Sequence, residues 1–266
     1  TPLPPNPTVL RKEAPKTAET SVRIKAKGPG KIKLVLPSWA KKPNYWRLLD
    51  PETGEEKGRF TSLDEQMIPA GVYQIAWRET EHGSTEVLLG EVVSVESGKT
   101  SEVLMQTAIR LVPAEWVDKE YYYWALRNTH SGNEVVRFKG EGFESHLVPA
   151  GIYQIVFRQS EHGHSESLLG EIKIADNSTT DFSLNSGARL IPPEKLAPPY
   201  RVQFVNLDEK DDKGPLSVTI SGSFGPVLLK PGRYKVIYHQ DKHGSSPMTI
   251  LDDLVVNSGS LVEIEL

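Results

Sequence analysis

The sequence predicts an all-β chain of three tandem Ig-like β-sandwich repeats. The first observation behind this is self-similarity. Pro69-Ala70-Gly71-Val72-Tyr73-Gln74-Ile75 returns as Pro149-Ala150-Gly151-Ile152-Tyr153-Gln154-Ile155 and again as Pro231-Gly232-Arg233-Tyr234-Lys235-Val236. Downstream, Glu81-His82-Gly83 becomes Glu161-His162-Gly163 and then Lys242-His243-Gly244, and Leu88-Leu89-Gly90-Glu91 becomes Leu168-Leu169-Gly170-Glu171. The period of about 80 residues exceeds that of helical and leucine-rich solenoids and suits a small domain with its own core. The second observation is alternation of apolar and polar residues with period two, without a capped 3.6-residue pattern anywhere.

The elements follow in order. Residues 1–18, opening Thr1-Pro2-Leu3-Pro4-Pro5-Asn6-Pro7, read as a proline-rich extended linker. With no initiator methionine or signal peptide in view, the chain is expected to be a portion of something longer. The repeats are expected at 19–106, 107–186 and 187–266. Glu19–Ile24 has the pattern of the strand that closes the other copies at Thr100–Met105, Thr179–Leu184 and Ser260–Leu266, so four closing strands serve three bodies. Within the first copy, strands are expected at Ile32–Leu36, Tyr45–Leu49, Arg59–Ser62, Val72–Arg78 and Glu86–Val93, separated by Gly, Pro and Ser turn signals. Tyr73, Ile75 and Trp77 fall on one face, which points inward, as do Tyr153, Ile155 and Phe157 and then Tyr234, Val236 and Tyr238.

Composition bounds the function. The 266 residues contain no cysteine, so there is no disulfide framework, thiolate metal site or Cys nucleophile, and each sandwich holds together by its apolar core. No apolar run is long enough to span a membrane. A net charge of −4 argues against nucleic acid as a main partner, since phosphate binding needs a basic surface. His82, His162 and His243 recur in register, but three ligands from three successive repeats would require the repeats to fold back onto one point. The His-Gly turn is therefore expected to be structural, bonding to a neighbouring loop. His162-Gly163-His164, with Glu161 and Glu166 near in sequence, lacks a third imidazole. Gly163-His164-Ser165-Glu166-Ser167 lacks the second glycine of a nucleophile elbow, and lysines interrupt the acidic run Asp208–Lys213. No metal, cofactor or catalytic residue is expected.

Aromatic residues are the candidates for binding. Trp39 and Trp116 lie in loop-like sequence, and Tyr45-Trp46 and Tyr121-Tyr122-Tyr123-Trp124 begin strands. Adjacent strand residues face opposite ways, so one member of each Tyr-Trp pair points outward. Trp39, Tyr45, Trp46, Trp116, Tyr121, Tyr123 and Trp124 then form either a platform for a carbohydrate ring or protein partner, or the packing between neighbouring units. A run of eight cations, Arg23, Lys25, Lys27, Lys31, Lys33, Lys41, Lys42 and Arg47, meets no acidic residue between Glu19 and Asp50. It reads as a solvated sheet face that discourages edge pairing, or as a surface for an anionic partner.

The Pro-Ala-Gly-x-Tyr-x-Ile string, followed by a hairpin, a turn such as Glu96-Ser97-Gly98-Lys99 and a closing strand, resembles the prealbumin-like sandwiches of the carboxypeptidase regulatory-like kind. Tandem copies of such modules often trail von Willebrand A domains or enzymes in exported bacterial proteins. The resemblance implies a non-catalytic accessory, spacer or adhesion-type role, outside the cell or in its envelope, with a protein or surface glycan as partner. The opposing expectation is a carbohydrate-binding module whose aromatic platforms come from the first two repeats.

Overall fold

A computed structural model of the chain describes residues 28–194, 199–211, 214–240 and 246–266. The strand pattern Glu19–Ile24, the cations Arg23, Lys25 and Lys27, and the third His-Gly turn at His243 lie outside these. All regular structure among the described residues is β. The first seven strands are β1 (Pro29–Val35), β2 (Tyr45–Leu49), β3 (Glu56–Phe60), β4 (Gln66–Pro69), β5 (Gly71–Arg78), β6 (Val87–Val95) and β7 (Thr100–Leu104). The next seven are β8 (Ala108–Pro113), β9 (Glu120–Asn128), β10 (Glu134–Glu141), β11 (Ser145–Leu147), β12 (Gly151–Arg158), β13 (Ser167–Ile174) and β14 (Thr179–Leu184). The last seven are β15 (Gly187–Ile191), β16 (Arg201–Asp211), β17 (Gly214–Ile220), β18 (Val227–Leu228), β19 (Gly232–His239), β20 (Met248–Val256) and β21 (Leu261–Glu265).

These strands sort into three pairs of sheets with one plan. A three-stranded sheet, β4-β1-β7, faces a four-stranded sheet, β3-β2-β5-β6; the next pairs are β11-β8-β14 with β10-β9-β12-β13, and β18-β15-β21 with β17-β16-β19-β20. In each unit the first strand pairs in parallel with the last, as Ala108 with Thr179 and Gly187 with Leu261. An immunoglobulin constant domain sorts its strands ABED and CFG; here the order is DAG and CBEF. Across the parallel pair an ion pair recurs at one level: Lys33 with Glu102, Arg110 with Asp181 and Arg189 with Glu263.

The repeated motifs are the hinges of this plan. In Pro-Ala-Gly-x-Tyr the Tyr side chain folds back and its hydroxyl donates to the turn carbonyl it has just left, Tyr73 to Pro69 at 2.7 Å, Tyr153 to Ala150 at 3.2 Å and Tyr234 to Lys230 at 2.7 Å. In the second unit the ring lies over the glycine most closely: a Cβ on Gly151 would sit 2.7 Å from the Tyr153 hydroxyl. In Leu-Leu-Gly-Glu the ladder slips, since Ile155 pairs with Gly170 while Val156 pairs with Leu168, leaving Leu169 as the extra residue of a bulge. Gly170 takes φ +145° there, and Leu169 stays buried. The first and third units slip at the corresponding place.

The inward face matches the alternation: Tyr73, Ile75, Trp77, Tyr153, Ile155, Phe157, Tyr234, Val236 and Tyr238 are all buried. β1, β3, β5, β6, β7 and β21 begin or end away from the sequence expectation, by one to three residues. β3 ends at Phe60 rather than Ser62, because the Ser62 carbonyl leaves the ladder to accept the indole N–H of Trp46 at 2.9 Å. β6 runs on to Val95, whose side chain is buried. Buried apolar side chains of the first two units form one continuous cluster that includes Met105 between them and Leu228 of the third unit, which otherwise has its own core.

Candidate functional site

The aromatic platform expected from the sequence is not assembled. Trp46 and Trp124 are both 0% exposed; each points between the sheets, against Phe60 at 4.5 Å and Phe138 at 4.6 Å between ring centroids. A ring in that position has no face to offer a ligand. Tyr123 lies on the outer side of its sheet, as alternation requires, yet it is only 2% exposed because a second layer of side chains covers it. Tyr121 packs on Phe143 and Phe157 and donates to the Gly142 carbonyl at 2.6 Å; burial pushes its hydroxyl pKa up to about 12. Tyr45 is half-buried beneath the guanidiniums of Arg59 and Arg78. Trp39 alone of the seven is strongly exposed, at 41%.

The layer over Tyr123 is charged. The Arg137 guanidinium lies 3.9 Å from the ring centroid, and the Tyr123 hydroxyl donates to Glu166, which also receives Arg127 at 2.5 Å. Burial works against ionisation of Glu166, but the hydroxyl and the Arg127 guanidinium outweigh it and hold its carboxyl below the usual carboxylate range. The first unit has a corresponding layer in which Arg47 bridges Glu56 and Glu86. The run of cations is neutralised in the same manner: Lys31 meets Glu65, Lys33 meets Glu102 and Lys41 meets Glu144. Of the cations among the described residues, Lys31, Lys33, Lys41 and Arg47 are thus met by carboxylates, while Lys42 is exposed.

The joints between units carry the most specific geometry, and sequence reading touched them only through the His-Gly turn. The turn after β5 docks on the free edge of β10. There the Thr85 N–H donates to the Arg137 carbonyl at 3.0 Å, the Arg137 N–H donates to the Thr85 hydroxyl at 2.9 Å, and the Lys139 N–H donates to the Gly83 carbonyl at 2.5 Å. The next joint repeats the exchange: the Ser165 N–H donates to the Thr219 carbonyl at 2.9 Å and the Thr219 N–H to the Ser165 hydroxyl at 2.7 Å. One hydroxyl-bearing residue, two positions past the glycine, thereby satisfies both main-chain groups of an edge residue that would otherwise face water. The turn was expected to bond a neighbouring loop; instead it bonds a strand edge, through Thr85 and Ser165. The side chains of His82 and His162 are exposed at the turn tips.

Each joint adds its own contacts. At the first, His146 bonds both oxygens of Glu79 at 3.0 Å, with the imidazole stacked on Phe138 at 4.1 Å, and Lys41 reaches Glu144. At the second, Trp116 lies over Gly187, where a Cβ would meet the Trp116 ring at 2.8 Å and the Val227 carbonyl at 2.2 Å. Trp116 is therefore packing between neighbouring units. A cleft of about 220 Å³ also opens at this joint, lined by Arg127, Glu166, Asn206, Glu209, Ser217 and Tyr234. Its polar groups serve one another or their own strands: Arg127 holds Glu166, Lys230 holds Glu209, Asn206 Oδ1 accepts from the N–H groups of Asp208 and Glu209, and Ser217 accepts from Gln203. Among the described residues no group of three or more His, Asp or Glu is placed to hold a metal ion, and no helix is long and apolar enough to cross a membrane.

No family model and no curated protein matches this chain. Among solved structures, the Bacillus anthracis TIE protein aligns at 11% identity and a TM-score of 0.24, over 91% of this chain and 50% of that one. A streptococcal ancillary pilin aligns at 11% identity and a TM-score of 0.22, over 89% of this chain and 98% of its own. The pilus adhesin SpaC of Lactobacillus rhamnosus GG aligns at 7% identity and a TM-score of 0.24, over 89% and 42% respectively. The chain spans half the length of the first of these. The fold assignment rests on sheet order and register.

Proposed function

We propose that this chain is a non-catalytic spacer or adhesion-type array within a larger exported bacterial protein, built of prealbumin-like sandwiches of the carboxypeptidase regulatory-like kind. The observation that carries this reading is the joint used twice. Adjoining units in a chain move relative to one another unless their interface is specific; here the same two hydrogen bonds recur, reinforced by the Glu79–His146 pair at one joint and by Trp116 at the other. Repeating one joint geometry favours a stiff array over a flexible string. Of the seven candidate aromatics only Trp39 is strongly exposed, so an array that holds other groups apart accounts for the residues better than a carbohydrate platform does. The exported location and a protein or surface partner follow from the motif resemblance. Small-angle scattering tests the reading: three units of about 30 Å in line give a maximum dimension of about 90 Å for the 28–266 body. A collapsed particle of roughly half that length refutes an extended spacer.

A further inference from the structure

The docking turns of the first two units are built alike except at one position. Arg78 Nε donates to the Thr80 and Ser84 carbonyls, both at 3.2 Å, and Arg158 Nε to the Ser160 and His164 carbonyls at 3.1 and 3.0 Å. Nη2 of each arginine reaches the Glu81 or Glu161 carbonyl, so one guanidinium shapes each turn. Ser84 is buried and its hydroxyl accepts from the Thr80 N–H at 3.0 Å. Its counterpart is His164, whose Nδ1 is shut off from water without a hydrogen-bond partner. Docked residues flank it on both sides: a Cβ on Gly163 would lie 3.1 Å from the Ser221 carbonyl oxygen, and Ser165 exchanges two bonds with Thr219. Such a place accepts a neutral imidazole and opposes a charged one. Of the charged groups among the described residues only Arg158 acts on the ring, and it repels a proton. Glu166 is taken by Tyr123 and Arg127, Glu161 is exposed at the tip, and β17 has no titratable side chain.

We propose that the second joint is an acid-released latch: a proton on His164 undocks its turn from β17 and frees the third unit to move, while the first joint stays closed. This rests on the locked-array reading and adds its regulation. At the first joint the imidazole of His146 faces Glu79, so a proton there makes an ion pair instead of stranding a charge. At the second, burial, aided by Arg158, outweighs the His162 carbonyl and holds the His164 pKa below its ordinary value. Docking therefore keeps its full strength above the free imidazole value of about 6.5 and loses it as pH falls from there through the folded value. Glu166 titrates in a lower window, below about 4.3, which keeps the two effects apart.

Amide hydrogen exchange of the full chain, expressed as protection relative to the unstructured rate at each pH, reads both joints at once. The Thr219 N–H reports the second joint and the Arg137 N–H the first. Between about pH 7.5 and about pH 5.0 protection at Thr219 is expected to fall by about three- to thirtyfold, the ceiling being full protonation of a free imidazole over that interval. Protection at Arg137 is expected to change by less than about twofold over the same interval. His164→Ser, which installs the residue the first turn carries, and His164→Gln, a neutral polar replacement, are each expected to abolish the fall at Thr219. Unchanged Thr219 protection in the wild type, an equal fall at both amides, or a fall that survives both substitutions overturns the proposal. A fall that disappears in His239→Gln overturns it too, since burial also lowers the pKa of that histidine, beside Arg201. Failure of the latch leaves the locked array standing, because the length of the monomer at neutral pH tests that separately.

Discussion

Two tryptophans that look alike in sequence differ sharply in what their removal costs. Trp124 is fully buried, with its ring 4.6 Å from Phe138 and 5.5 Å from His146. Truncating such a side chain to alanine removes its transfer free energy and leaves a cavity, about 3–5 kcal/mol. An 80-residue sandwich has only about 4–12 kcal/mol in total. Trp124→Ala therefore lowers the melting transition of the second unit by about 12–40 °C and weakens the first joint, because His146 stacks on the same rings and bonds Glu79. Trp39→Ala, at an exposed position, is expected to change stability by less than about 0.5 kcal/mol. Chemical denaturation followed by circular dichroism, with the unaffected units as internal references, separates the two. Equal costs for the two substitutions, or glycan binding by the folded wild type that Trp124→Ala abolishes without unfolding, would refute the placement of Trp124 in the core.

Further outcomes follow from particular contacts. Thr85→Val and Ser165→Ala each leave an edge N–H without its hydroxyl partner, costing about 0.5–1.5 kcal/mol, and hydrogen exchange should lose protection at the Arg137 and Thr219 amides selectively. Gly151→Val places a Cβ against the Tyr153 hydroxyl and costs about 1–3 kcal/mol by denaturation. Glu166 is held below its ordinary pKa in the folded chain, so its contribution is present above the unfolded carboxyl value of about 4.3 and is lost as pH falls through the folded value. Glu166→Gln should flatten that acid limb in a stability-versus-pH titration. The exposed Arg110–Asp181 pair should show little coupling in a double-mutant cycle, and less still at high salt.

Much of the fold was legible because it is written three times. β2 and β14 begin and end where period-two alternation places them, and the Tyr-x-Ile-x-Trp face points inward as expected. The strands β4, β11 and β18 were not anticipated: at 4, 3 and 2 residues they are too short to carry a period. Alternation required one of Tyr123 and Trp124 to face outward, and it is Tyr123, but being outward does not mean being exposed. The side chain that caps it, Glu166, lies 43 residues on. The joints failed to show for the same reason, since Thr85 and Arg137 are 52 residues apart and Ser165 and Thr219 are 54. Nothing local in the sequence ties them together, although a hydroxyl at the same place after each His-Gly is a signal that comparison of the three copies contains.

The central claim is that repeated loop-on-edge joints lock the units together. Spin labels on Glu52→Cys in the β2–β3 turn and Asn257→Cys in the β20–β21 turn report it directly, since the chain has no other cysteine. Electron–electron resonance should give one narrow distance population for this pair, broadening when Thr85→Val and Ser165→Ala are introduced together. A broad distribution in the otherwise native chain, unchanged by those two substitutions, would contradict a locked array.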